Sequence, residues 1–85
     1  MMHNLEIIVK PCPEVLERVL RVTRHRGFKV TQMQMLTNND ASIAISLMVE
    51  AERAIELLTN QLVKLIDVTQ CKVLPNNQLD KTVNA

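Results

Sequence analysis

The chain has 85 residues, 47% hydrophobic and 22% charged, with one Gly, three Pro, two Cys, a single Phe and neither Trp nor Tyr. One small domain is the upper bound at this size, and two Cys without CxxC spacing exclude both a disulfide scaffold and a zinc module. A formal charge of +1 gives no global pull toward nucleic acid or anionic lipid, no apolar run approaches the roughly 20 residues of a membrane span, and no basic-then-apolar leader opens the chain, so a reduced, cytoplasmic domain is expected.

Residues 5–9 are short, β-branched and alternating, with Leu5, Ile7 and Val9 on one face, which predicts a strand. Pro11-Cys12-Pro13 ends it, and Pro13 suits the first position of a helix, where its missing N–H costs nothing. Residues 14–26 then take a helical period. Val15, Leu16, Val19, Leu20 and Val22 form an apolar stripe, with Glu14–Arg18 and Glu17–Arg21 as i,i+4 pairs. Gly27, the lone glycine, is the expected left-handed closure.

Residues 28–36 return to a period near two and predict a second strand, running from Phe28 to Leu36. Phe28 and Val30 share a face while Met33 and Met35 are offset by one, which predicts a bulge at Thr31-Gln32. Thr37-Asn38-Asn39-Asp40 is a turn, and residues 41–50 alternate again, with Ile43, Ile45, Leu47 and Val49 inward. Residues 53–64 predict a second helix burying Ala54, Ile55, Leu58 and Leu62, without a good N-cap. Residues 66–74 predict a last strand, and residues 75–85 lack periodicity and are expected as a flexible tail after a domain of residues 1–74. The order β-α-β-β-α-β is that of the α+β, ferredoxin-like class: a four-stranded antiparallel sheet with two helices on one face. Ile8, Ala44, Ser46 and Met48 point to the opposite, uncovered face.

No catalytic or metal-binding constellation is expected. Arg26-Gly27-Phe28 matches the opening of an RNA-binding signature, and a ferredoxin-like RNA-binding module is the alternative reading. The match then breaks at Lys29 and Met33, and one aromatic makes no stacking platform. Cys12 lacks a second soft ligand nearby; its place near a helix N-terminus favours a lowered thiol pKa. His3 and His25 are isolated. The one charge anomaly is the basic run on the first helix, where Arg18, Arg21, Arg24 and Arg26 are candidates for docking an acidic partner.

Leu16-x-Arg18-Val19, then Arg26-Gly27-Phe28-Lys29-Val30, then Gln61-Leu62-x-Lys64-Leu65-Ile66-Asp67-Val68 resemble the small-subunit family of acetolactate (acetohydroxyacid) synthase. Pro13-Glu14-x-Leu16-Glu17-Arg18-Val19-Leu20-Arg21-Val22 is similar to its short, isozyme II branch. The resemblance spans residues 4–74 and implies an ACT domain that dimerises through the edge strand at residues 28–36. It further implies a non-catalytic regulatory subunit whose separate catalytic partner carries thiamine diphosphate, magnesium and FAD in branched-chain amino-acid synthesis. No nucleic acid or membrane partner is implied. The family's effector pocket maps onto Pro11, Cys12, Pro13, Glu14, Val15 and Leu16, with Lys29 and Val30. Valine-sensitive relatives have Asn and Gly where this chain has Pro11 and Glu14, so weak or absent valine inhibition is expected.

Overall fold

The structure, a computed structural model, describes residues 1–75; most of the expected tail, residues 76–85, lies outside the described residues. The elements are β1 (Met2–Val9), α1 (Val15–His25), β2 (Lys29–Thr37), β3 (Ile43–Glu50), α2 (Glu56–Leu62) and β4 (Val68–Leu74). They form one antiparallel sheet in the order β2-β3-β1-β4, with both helices on one face. This is the expected ferredoxin-like arrangement.

The two central strands set the layout. In β1 and β3, Leu5 lies opposite Leu47, Ile7 opposite Ile45 and Val9 opposite Ile43. Apart from the partly buried Ile43, these side chains are all buried, and with Val49 they meet Val15, Val19, Leu58 and Leu62 from the helices. Strict alternation gives the strands one apolar face and one mixed face. β1 begins at Met2 rather than Leu5 because it pairs with β3 as far as Met2 opposite Glu50. Pairing with β3, joined by β4 at Asn4, overrides the weak β-propensity of Met2-His3-Asn4.

α1 departs from the expected stripe. Val15, Val19 and Thr23 are the buried positions, a strict i,i+4,i+8 row, while Leu16, Leu20 and Val22 are only partly buried. Thr23, fully buried, satisfies its hydroxyl by donating to the Val19 carbonyl at 2.7 Å. Pro13 is not the first helical residue. It lies in a turn in which the Val15 amide donates to the Cys12 carbonyl at 3.1 Å, and Glu14 is the N-cap without a side-chain cap bond. At the other end Gly27 has φ of +84°. Its amide donates to Arg24 at 3.0 Å and the Phe28 amide to Thr23 at 3.1 Å, the paired bonds of a Schellman closure. The closure delivers Phe28 directly into the core, where it is 2% exposed.

The bulge expected in β2 is present: the β2–β3 register skips Thr31, whose hydroxyl reaches the Met48 carbonyl at 3.2 Å. The other edge strand repeats the device. There the register skips Thr69, and its hydroxyl donates to Ile8 at 3.0 Å. In both, a threonine side chain takes up a carbonyl on the neighbouring central strand. The β2–β3 turn closes at Asn38 and Ser42, starting one residue and ending two residues beyond expectation, and Ala41 within it has φ of +75°. α2 is shorter than the 53–64 expected, its entry being isolated turns consistent with the missing cap, and Ala54 is exposed rather than buried. β4 likewise starts at Val68, leaving Ile66 80% exposed.

The two left-handed positions give opposite predictions. Gly27→Ala should destabilise by about 1–2 kcal/mol, since a Cβ is disfavoured at that φ. Ala41→Gly should stabilise by about 0.5–1 kcal/mol, the relief of strain exceeding the added chain entropy. Urea unfolding of both variants measures the signs; changes of the same sign would contradict this account of the turns.

Candidate functional site

The β1–α1 loop is closed on itself. Pro11 and Pro13 carry no N–H, the Lys10 amide donates to the Asp67 carbonyl at 2.9 Å, and the Cys12 amide donates to the Lys10 carbonyl at 2.7 Å. No backbone donor from residues 10 to 13 is left to meet a ligand's carboxylate. The Cys12 thiol donates to the Glu14 carboxylate at 2.7 Å. That bond pushes the Cys12 pKa up, not down, and lowers that of Glu14. The helix N-terminus does not decide the thiol's state, because the nearby carboxylate holds its proton.

Arg18 is likewise redirected. It donates to Asp67 at 3.0 Å, linking α1 to the residue before β4, instead of taking Glu14 as its ion-pair partner. The structure also divides the expected effector pocket. Val9, which leads into residues 11–16, lies at the Ile43 end of β3, whereas Val30 lies opposite Val49 at the other end. About 20 Å of strand separates them, so Lys29 and Val30 do not join Pro11, Cys12, Pro13, Glu14, Val15 and Leu16 within one chain.

Arg18 stands apart from the rest of the basic run, in which Arg21, Arg24 and His25 border one hollow. Arg18 is paired; Arg21, Arg24, His25 and Arg26 are exposed. Arg24 faces β2, bordering an open groove of about 440 Å³ with Leu20, Phe28, Lys29 and Val30. Arg21, His25 and Arg26 border a separate concavity of about 360 Å³ with Val22 and with Gln61 of α2. Arg53 joins this end of the molecule: its Nε lies 2.8 Å from where a Cβ on Gly27 would stand. Sequence spacing gave no sign of Arg53 or Gln61, since neither is close in the chain to α1. Phe28, being buried, cannot stack a base, which removes the physical basis of the RNA-binding alternative.

Among the described residues β2 has no strand on its outer side. Its only charged residue is Lys29, and Met35 and Leu36 are exposed. Leu20 lies beside it in the groove with Val30, and Leu20, Val30 and Met33 are partly buried, an apolar margin along an unprotected edge. Among the described residues no group of three or more His, Cys, Asp or Glu gathers as metal ligands, and no helix is long and apolar enough to cross a membrane.

Comparison with known proteins decides the family. An ACT domain model matches residues 11–71. The chain is 41% identical over 86 aligned positions to the acetolactate synthase isozyme 2 small subunit of Escherichia coli K12, covering 100% of this chain and 99% of that one. The chain belongs to the acetolactate synthase small-subunit family. The Shigella flexneri isozyme 2 small subunit matches equally, at 41% over the same span. The acetolactate synthase small subunit of Thermotoga maritima shares the fold, with a TM-score of 0.79 at 21% identity over 88% of this chain and 48% of that one. The ACT domain of the Chlorobium tepidum GTP pyrophosphokinase does so at 0.72 and 14% identity, over 87% and 97%. Within this small-subunit family the fold is regulatory, not catalytic.

The Cys12–Glu14 bond yields a pH prediction. A raised thiol pKa means less thiolate at any given pH, so Cys12 should alkylate slowly near neutrality. Glu14→Gln, in a Cys71→Ser background, should move the pH profile of iodoacetamide alkylation to lower pH. An unchanged profile would show that Glu14 does not hold the proton.

Proposed function

We propose that this chain is the regulatory small subunit of an acetolactate synthase, binding a separate catalytic chain and raising its activity in valine, leucine and isoleucine biosynthesis in the cytoplasm. The observation that carries this reading is end-to-end identity of 41% with the Escherichia coli isozyme 2 small subunit. Thiamine diphosphate, magnesium and FAD belong, on this reading, to the catalytic chain. This subunit acts by binding the active arrangement of its partner better than the inactive one, which shifts the population without contributing a reacting group.

A homodimer through β2 follows from the unprotected edge. Two-fold antiparallel pairing converts an association hazard into an isologous interface. Such pairing also sets the start of one copy's β2 toward the far end of the other's, where that copy's β1–α1 loop lies. The divided pocket residues then meet between chains. The loop's spent donors and the Glu14 carboxylate still disfavour an amino-acid carboxylate there, which supports weak or absent valine inhibition. The open sheet face, with Glu6 opposite Lys72 and mostly uncharged neighbours, offers no basic track for nucleic acid.

Titrating the purified chain into its cognate catalytic chain tests the reading. Acetolactate formation should rise saturably, the chain alone should show no turnover, and millimolar valine should leave the stimulated rate within about twofold. No stimulation at saturation would overturn the regulatory assignment; tight valine inhibition would overturn the account of the loop.

A further inference from the structure

Resting on the regulatory-subunit reading, we propose that the concavity between α1 and α2 docks a carboxylate-rich segment of the catalytic partner, held by Arg21, Arg26 and Arg53. The first support is segregation. All the chain's arginines lie on α1, at its C-cap or just before α2, and among the described lysines only Lys29 joins that end, Lys10, Lys64 and Lys72 being spread over other parts of the molecule. Arginine presents a planar fork matched to carboxylates and is the cation favoured at protein interfaces.

The second support is that these guanidiniums are unspent. Among the described residues the one ion pair is Arg18–Asp67, and Arg21, Arg26 and Arg53 have no hydrogen-bonded or ionic partner there. Like charges gathered at one end repel one another. The C-terminal dipole of α1 offsets part of that repulsion, and an acidic ligand would relieve the rest.

Shape is the third support. Arg21, His25 and Arg26 stand around a floor that includes the partly buried Val22, with Gln61 as a neutral donor on the facing helix. A second hollow of about 420 Å³ shares Arg21 and His25, so the cationic surface is continuous. Arg53 lies next to this surface, its side chain against Gly27, the residue after Arg26, where the absence of a Cβ leaves room. Gly27 therefore has two roles, permitting the turn and seating a guanidinium.

Carboxylates fit better than a nucleic acid backbone. The cationic area is confined to one end of the molecule, the net charge is +1, and the only Phe, Trp or Tyr ring is buried. A short acidic segment of a folded protein matches that scale.

Titrations of the cognate catalytic chain with three variants test the site, each checked for its fold by circular dichroism. Arg21→Glu/Arg26→Glu/Arg53→Glu should weaken the apparent Kd about 30-fold or more, with full stimulation recovered at saturation. Arg21→Gln/Arg26→Gln/Arg53→Gln, which keeps the test alive should the first variant not fold, should weaken it about 10-fold and flatten its salt dependence. Lys10→Glu/Lys64→Glu/Lys72→Glu changes net charge equally and should stay within about threefold of wild type. Stimulation by wild type together with unchanged affinity in the arginine variants overturns the docking site and leaves the regulatory reading standing. Equal weakening by the lysine variant overturns it too, since net charge alone would then govern binding. Loss of binding to a single-stranded RNA oligonucleotide, with catalytic-chain affinity intact, reassigns the surface to nucleic acid. Absence of any effect of wild type on the catalytic chain overturns both proposals.

Discussion

Strict alternation in β1 and β3 commits every side chain they bury to one side of the sheet, and the rest of the molecule is arranged around that constraint. Leu5, Ile7, Val9, Ile45, Leu47 and Val49 point the same way, so two helices on that side complete the core. Each such side chain contributes about 1.5–3 kcal/mol on burial, and a domain this small has few to spare. The molecule is a slab 16 Å thick, and among the described residues no second layer covers the opposite face. Such a body has edges, faces and ridges to offer a partner, and little depth in which to enclose a reaction.

The closure of α1 links that core to the surfaces. One glycine ends the helix with both Schellman bonds, turns the chain so that Phe28 enters the core, and starts β2 at the sheet's edge. The same residue leaves room for Arg53. Edge strand, apolar margin and cationic hollow thus radiate from one turn. At the far end of α1 the chain spends its polar groups internally, through Lys10, Cys12, Glu14, Arg18 and Asp67. The side chains at that end are paired, whereas among the described residues the arginines at the C-terminal end have no partner.

Much of this was legible in the sequence because it depends on local periodicity and backbone chemistry. The β-α-β-β-α-β order, the Gly27 closure and the Thr31 bulge all follow from neighbours in the chain. What escaped depends on residues far apart. β1 gains three residues from pairing with the end of β3, and Thr23 is buried because its hydroxyl can be satisfied by Val19 within the helix. Arg18 prefers Asp67, which is 49 residues away, and Arg53 meets Gly27 only after α2 is packed. The resemblance placed Pro11 to Leu16 with Lys29 and Val30 in one pocket, but strand register puts them at opposite ends of β3. Periodicity cannot show that, because it sets faces and not distances along a strand.

The central claim is that the chain acts through its surfaces, with β2 joining copies and the α1–α2 ridge meeting the catalytic chain. Hydroxyl-radical footprinting of the free chain and of its complex with the catalytic chain tests this most directly. The account predicts that Met35 is shielded in both states and that His25 and Arg26 become shielded only in the complex. Met35 reactive at its single-chain exposure, or His25 and Arg26 equally reactive in the complex, would contradict it.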